Sequence, residues 1–97
     1  MVTTAAILSE LRDAHGTLPV TCPMRWVVSW AVYRQIVALR DGANQYLVHL
    51  SDDLEGDDTM TGLPILRDPA LETGFQLEVR LHECWQPWRV ALMAVAA

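Results

Sequence analysis

Apolar and polar residues alternate most regularly over residues 75–83, and this period of two predicts a strand with one buried face. A short apolar run at Met24–Val28, rich in residues that favour strands, predicts a second, buried strand. Alternation is weaker over residues 46–50, which predict a less regular strand. A proline interrupts residues 60–66, which predict an edge or irregular strand. The apolar residues 88–95 predict a last strand with two apolar faces.

Two other segments repeat apolar residues at the spacing of a helix. In residues 5–15 the apolar side chains share one face, and Gly16 supplies a left-handed residue that ends the helix. In residues 30–40 the pattern is the same, with Ser29 as the N-terminal cap and Gly42 as the stop signal. The signals for the strand Met24–Val28, the Ser29 cap, the helix and its end all predict the same strand–helix unit.

The order of these elements, α-β-α-β-β-β, predicts the α+β class. We expect two helices packed on one face of a four- to five-stranded mixed sheet. A chain of 97 residues is one domain and can bury one modest core, so residues 1–97 are interpreted as a single domain.

The charge balance excludes several classes of function. Seven basic residues, all of them arginine, against twelve acidic ones give a net charge of −5. Scattered arginines do not form the basic stripe that nucleic-acid binding requires. No apolar run approaches the roughly 20 residues that span a bilayer, and the N-terminus lacks the basic residues of a secretory signal. We therefore expect no nucleic-acid partner, no membrane partner and a reducing, cytosolic environment.

Residues 51–58 carry most of the excess acidity and predict a solvated loop. The five acids are Asp52, Asp53, Glu55, Asp57 and Asp58. A calcium loop of the EF-hand type that begins at Asp53 would need glycine and glutamate where this chain has Asp58 and Pro64. The loop is interpreted as an acidic surface that steers a partner, with weak binding of a divalent cation as the alternative.

No motif predicts catalysis. His82 and Cys84 are two residues apart and would point the same way on a strand, but the spacing places no third ligand or base beside them. The serines lie outside any nucleophile elbow, and the glycines are too dispersed for a phosphate loop. We expect neither an enzyme nor a bound metal or other cofactor. The spacing of Cys22 and Cys84 leaves open whether they form a disulfide.

Four tryptophans are the most unusual feature of so short a chain. They admit two interpretations, packing in the core and anchoring a protein interface, because the indole ring serves both roles. Trp26 and Trp30 flank the junction between the predicted strand Met24–Val28 and the helix that follows it. Trp85, Trp88 and Arg89, beside the apolar residues at the end of the chain, are the candidate interface anchors.

Two stretches of the sequence share their order of signals with a known family. The first is WVVS followed by WAVYRQIVALRDGANQYL, and the second is TGLPILRDPALETGFQLEV, with Gly62, Pro64, Asp68 and Pro69 in order. Residues 25–79 thereby resemble the axial-domain segment of tailed-phage major capsid proteins, and also short phage and prophage proteins of actinobacteria. The resemblance implies an axial-domain-like fold and a phage or prophage origin, and it carries over no catalytic residue.

These observations combine into one leading hypothesis and two alternatives. The chain is predicted to be a non-enzymatic phage or prophage protein of the host cytoplasm or the virion. It would act through protein–protein contacts as an accessory or minor capsid or head protein that forms homo-oligomers. The first alternative is a phage-encoded modulator that binds and inhibits a host protein. The second is a small metal-binding protein or enzyme that uses His82, Cys84 and the acidic loop.

Overall fold

A mixed sheet organises the chain in the computed structural model, which describes residues 2–19, 21–52, 56–71, 74–81 and 83–96. The elements, in chain order, are α1 (Thr4–Thr17), β1 (Met24–Val28), α2 (Trp30–Ile36), β2 (Val48–His49), β3 (Thr59–Met60), β4 (Leu63–Arg67), β5 (Phe75–Leu81), β6 (Cys84–Pro87) and α3 (Trp88–Ala96). The α+β class predicted from the sequence is confirmed.

The described strands pair in the order β2-β3-β4-β1-β5-β6. β1 is parallel to β4 and antiparallel to β5, so Trp26 stands between Ile65 and Leu77. The other neighbouring strands are antiparallel. An inner position explains the apolar composition of β1, whose backbone groups are paired on both sides. The sheet is mixed, as expected, but six strands belong to it in the described part of the chain, where the sequence predicted four or five.

One face of the sheet carries the core. Met24, Trp26 and Val28 of β1 lie on this face with Leu77 and Val79 of β5, and all five are buried. Three helices pack on it among the residues that the structure describes, where two were expected. Their buried contributions to the same cluster are Ile7 and Ala14 from α1, Val32 and Ile36 from α2, and Trp88 and Ala91 from α3.

On the opposite face of the sheet, β1 and β5 carry mainly polar and charged side chains. The register of β1 and β5 places Arg25 beside Glu78, and Val27 beside Gln76, on that side. An ion pair of 2.7 Å joins Arg25 to Glu78. Val27 is buried there outside the main core cluster. This alternation is typical of a sheet with one helix-covered face and one polar face.

Helix α1 begins where the sequence predicts and ends later. Thr3 caps its first turn through the side-chain oxygen. The helix then continues through Gly16, so the prediction that Gly16 ends it in a left-handed conformation is wrong. It ends instead at Thr17, and Leu18 is the C-terminal cap, whose N–H donates to the Ala14 carbonyl at 2.9 Å and whose side chain packs in the core.

Helix α2 has the predicted Ser29 cap but ends at Ile36, before the predicted end at residue 40. The Leu39 carbonyl accepts a hydrogen bond from the Leu47 N–H at 3.1 Å. The chain therefore leaves the helix to pair with the segment that leads into β2, and Leu47 is buried as a result. Gly42 lies in the turn between the two segments and does not end the helix.

The proline-interrupted segment forms two strands where one irregular strand was predicted. Met60 pairs with Leu63 across a two-residue turn in which Thr61 and Gly62 have φ values of 56° and 80°. Two consecutive positive φ values are the signature of the tight type I′ hairpin. Of the two predicted alternatives, an edge strand or an irregular one, the edge position is wrong, because the short β3 extends the sheet beyond β4.

The apolar residues 88–95 form a helix, and the prediction of a strand is wrong. Trp88 and Ala91 are both buried, at the spacing of one helical turn, whereas Val90 and Met93 are exposed. With Arg89 as its one polar residue the segment shows no clear period, so only the favourable helix propensities of Leu, Met and Ala could have indicated this outcome. Among the described residues, no helix is long and apolar enough to cross a membrane.

Candidate protein interface

Two of the three predicted anchors lie at the contact of α3 with α1. Trp88 is only 3% exposed and packs in the core. Its indole N–H donates to the carboxylate of Glu10. The second oxygen of that carboxylate forms an ion pair of 2.9 Å with the Arg89 guanidinium, whose side chain is 61% exposed. Trp88 therefore holds two helices together and presents almost no surface to a partner.

The third predicted anchor, Trp85, lies on the polar face of the sheet. The Arg25 guanidinium carbon is 4.2 Å from the centroid of its indole ring. Arg25 is also ion-paired with Glu78, so the stack has a fixed orientation. Trp85 is half-buried in this arrangement. The structure thus places Trp85 apart from Trp88, and the predicted anchors do not form one cluster.

The acidic loop is tied to the domain at its C-terminal end. Asp58 accepts hydrogen bonds from the Tyr33 hydroxyl and from the Ser51 backbone N–H, the latter at 2.9 Å. Asp52 and Asp57 are exposed, as predicted for a solvated loop. The predicted loop residues Asp53 and Glu55 lie outside the described residues.

The contact between Tyr33 and Asp58 changes the acidity of both groups. The hydrogen bond from Tyr33 lowers the pKa of the Asp58 carboxyl, and the hydrogen bond from Ser51 lowers it further. The same contact raises the pKa of the Tyr33 hydroxyl, with burial and the negative charge of Asp58 as further causes. Folding therefore favours ionised Asp58 and neutral Tyr33.

An exposed cluster of one arginine and two aromatic side chains forms where β4 ends and α2 begins. The Arg67 guanidinium carbon is 4.9 Å from the ring centroids of both Trp30 and Tyr33. The two rings meet edge to face, 6.1 Å apart. Trp30 is 48% exposed, an unusual position for so large an apolar ring. We call Trp30, Tyr33 and Arg67 the aromatic surface.

A groove of about 740 Å³ adjoins the aromatic surface and shares Tyr33 with it. α2 and its extension contribute Tyr33, Val37 and Arg40, and the segment before the acidic loop contributes Tyr46, Val48 and Leu50. Tyr46 and Leu50 are 51% and 69% exposed. The volume lies within the range of about 300–1,000 Å³ that is typical of ligand clefts.

The residues considered for metal binding or catalysis do not form a site in the described part of the chain. β5 ends at Leu81, which pairs directly with Cys84, the first residue of β6. His82 lies outside the described residues, and the predicted shared direction of His82 and Cys84 is therefore left as a prediction. Cys22 and Cys84 are free thiols. No group of three or more metal-ligating side chains occurs among the residues that the structure describes.

Comparison with family models, curated proteins and solved structures yields no significant match. The resemblance to capsid axial domains stays a prediction from sequence. The surfaces of this chain are therefore the basis for inferring its function.

The sequence indicated the acidic loop but not the aromatic surface beside it. Trp30 directly follows the Ser29 cap, and a side chain at this position can point away from the core. Tyr33 lies one turn later, so the two rings share a helix side. Arg67 comes from a distant strand that the sheet places next to β1. The spacing of Trp30 and Tyr33 in the sequence indicates that their rings are neighbours on the helix. The position of Arg67 beside them follows only from the topology of the sheet.

Proposed function

We propose that this protein is non-enzymatic and acts through protein–protein contacts made by the aromatic surface. The observation that supports this most directly is the stacking of Arg67 on Trp30 and Tyr33 at a solvent-exposed position. Trp, Tyr and Arg are the residue types most enriched at the energetic centres of interfaces. Because the arginine is already stacked, less side-chain entropy is lost when a partner covers it.

The setting that we propose is a virion-associated accessory or minor structural protein of a phage or prophage, which self-associates. This setting comes from the sequence resemblance, which depends on a strand that leads through a serine cap into a helix. β1, Ser29 and α2 have this arrangement. The virion or the host cytoplasm is the corresponding proposed location.

A second candidate function is that of a phage-encoded modulator that binds a host protein. The observation that favours it is the position of the acidic loop, which joins the aromatic surface through the bond between Tyr33 and Asp58. An acidic segment beside aromatic anchors would increase the rate of association with a basic host protein.

Photo-crosslinking in cells that carry the gene tests the contact surface. A benzoylphenylalanine in place of Trp30 should give a discrete crosslinked product, and one in place of Val90 on α3 serves as the exposed control. Arg67→Ala should reduce the yield from position 30 by removing the stacked cation. Equal yields from positions 30 and 90, or none from position 30, would contradict the proposal.

The identity of the crosslinked partner and the oligomeric mass of the purified protein distinguish the virion role from the modulator role. A capsid or head protein, or a second copy of this chain, would support the virion role. A host protein would support the modulator. Light scattering on the purified chain measures self-association directly, and a monomer at high concentration would contradict homo-oligomer formation.

A further inference from the structure

The groove beside the aromatic surface has apolar walls that solvent reaches. Val37 and Val48 lie in its walls, and the side chains of Tyr46 and Leu50, which also line it, are largely exposed. Exposed apolar side chains that are grouped in a concave surface are typical of a binding site, because a partner there removes apolar area from water.

Arg40 is the one charged side chain that lines this groove in the described part of the chain. Its guanidinium carbon is 4.5 Å from the centroid of the Tyr46 ring, and one of its nitrogens donates to the Tyr46 hydroxyl at 2.8 Å. A second nitrogen donates to the side-chain oxygen of Asn44 at 3.3 Å. Both partners are neutral, so Arg40 has no acidic partner among the residues that the structure describes.

Two acidic residues beside groove residues are engaged elsewhere. Asp41 follows Arg40, but its carboxylate accepts hydrogen bonds from two backbone N–H groups of the turn that comes next. Asp58 is bonded to the hydroxyl of Tyr33, and the cationic Arg67 stacks on the ring of the same tyrosine. The negative charge of Asp58 thus lies beside a positive one. The charge of Arg40 is the one that the groove leaves without a counter-charge in the described chain.

The position of Arg40 is fixed before any partner binds. Its backbone forms a bridge with Tyr46, and its carbonyl oxygen accepts a hydrogen bond from the Thr4 hydroxyl at 3.1 Å. The stack on Tyr46 then orients the guanidinium. A guanidinium has five N–H donors, so the bonds to Tyr46 and Asn44 leave donors for a ligand. A donor held in this way loses little side-chain entropy when a ligand binds.

An occupant that covers the apolar walls also removes water from the Arg40 guanidinium. A cation that loses its water without gaining a counter-charge costs free energy, so a purely apolar or basic occupant is unfavourable. A carboxylate offsets this cost, because it accepts charge-assisted hydrogen bonds and can form two parallel bonds with one guanidinium. The groove therefore matches an apolar ligand that carries one acidic group.

We propose that the groove binds an apolar segment of another protein that carries an Asp or Glu side chain, and that this carboxylate pairs with Arg40. This inference rests on the proposed function and adds the chemistry of the partner, because the groove adjoins the aromatic surface at Tyr33. A second copy of the chain is the less favourable occupant, since two copies that each have a net charge of −5 repel one another.

Selection from a display library of random 12-residue peptides tests the inference with the full chain as bait. We expect the selected peptides to share apolar residues with an acidic residue at a fixed position among them. A fluorescent copy of the best peptide then gives the dissociation constant by anisotropy. Replacing its acidic residue with the corresponding amide should weaken binding by about tenfold or more, with the protein itself unaltered.

Matched variants of the protein locate the site. Arg40→Gln should weaken binding of that peptide by about tenfold or more, whereas Arg80→Gln, which removes the same charge at an exposed position on β5, should leave it unchanged. Leu50→Ser should weaken binding by about fivefold or more, and Met93→Ser, a similarly exposed apolar side chain on α3, should not. Circular dichroism verifies that each variant is folded.

A double-mutant cycle tests the contact between the two charges. If the carboxylate pairs with Arg40, the Arg40→Gln protein should bind the original peptide and its amide version with dissociation constants within about threefold of each other. The reason is that the arginine variant has already lost the contact that the amide would remove. Losses that multiply would show that the two groups act independently, and the proposed pairing would be wrong.

Failure of this inference can be distinguished from failure of the proposed function. Selected peptides that are basic or purely apolar, no selected peptide, or equal losses with Arg40→Gln and Arg80→Gln would overturn the inference. The crosslinks from position 30 would still report on the contact function independently. If Leu50→Ser instead converts a dimer into a monomer in light scattering, the occupant is a second copy and the inference is wrong.

Discussion

The indole N–H of Trp88 donates a hydrogen bond to the carboxylate of Glu10, and this contact joins the last helix to the first. The two residues lie in segments at opposite ends of the described chain. Arg89 pairs with the same carboxylate, so the negative charge of Glu10 is compensated at the point where α1 and α3 meet. Trp88 contributes its ring to the core at the same time. We therefore regard it as a structural residue.

Replacing Trp88 should destabilise the fold far more than replacing Trp85. We expect Trp88→Ala to cost about 3–5 kcal/mol, because it leaves a large cavity in the core. Trp85→Ala should cost about 1 kcal/mol, since it removes a half-buried ring and one cation–π contact with Arg25. Urea unfolding monitored by far-UV circular dichroism measures both. Similar losses from the two substitutions would contradict the different positions of these residues.

Acid should weaken the attachment of the acidic loop. Asp58 has a folded pKa below its ordinary value of 3.8, because Tyr33 donates to its ionised form. Its stabilising contribution is therefore complete above about pH 3.8 and is lost as the pH falls through the lower folded pKa. The free energy of unfolding of Asp58→Asn should change less over this acidic range than that of the unaltered chain. Identical pH profiles would contradict a role for this carboxylate.

The tyrosine of the same pair gives an independent test at high pH. Tyr33 has a pKa raised above 10.0, so its contribution to stability is complete below pH 10 and is lost as the pH rises through the folded value. In a Tyr46→Phe background the ultraviolet titration reports Tyr33 alone. Its midpoint should lie above 10 and should fall towards 10 when Asp58→Asn is added.

Two glycines should respond in opposite directions to alanine. Gly74 has a φ of 86°, and an added Cβ would come within 2.8 Å of a methyl carbon of Val32. Gly74→Ala should therefore cost about 1–3 kcal/mol. Gly16 lies inside α1 with open space around it, so Gly16→Ala should stabilise by about 0.5–1 kcal/mol. Thermal unfolding of the two variants measures both effects.

The thiols should react separately and without a reducing agent. Cys84 is exposed, whereas Cys22 is half-buried, with its sulfur 3.6 Å from the Arg80 carbonyl oxygen. We expect two reactive groups per chain with Ellman's reagent, Cys84 first. The single variants Cys84→Ser and Cys22→Ser assign the fast and slow phases. A protein that shows no free thiol until it is reduced would contradict this arrangement.

Local signals were sufficient to predict β1 and the start of α2. Met24–Val28 and the Ser29 cap are confirmed because their signals involve neighbouring residues and agree with the tertiary structure. Residues 88–95 were assigned wrongly because a segment that is apolar apart from Arg89 shows no clear period. The early end of α2 was also missed, since it depends on the pairing of Leu39 with Leu47, which no local rule specifies.

The candidate interface was harder to predict than the fold. The acidic loop follows from composition alone, and its exposed acids Asp52 and Asp57 lie where a solvated loop places them. The number of tryptophans in the sequence does not show which of them are buried. Trp88 is buried in the structure, whereas Trp30 is half-exposed. That distinction depends on which side of each helix faces the sheet. The stacking of Arg67 on Trp30 requires strands that are distant in sequence to lie side by side.

The inner position of β1 also determines when the core can form during synthesis. Both strands that pair with β1 come later in the chain, so Trp26 leaves the ribosome before Ile65 and Leu77 can cover it. Both edges of β1 are unpaired until β4 emerges, and one edge stays unpaired until β5 follows. Such a strand is a target for chaperones and a site of aggregation. The chain therefore acquires its protected core late, when its second half has been translated.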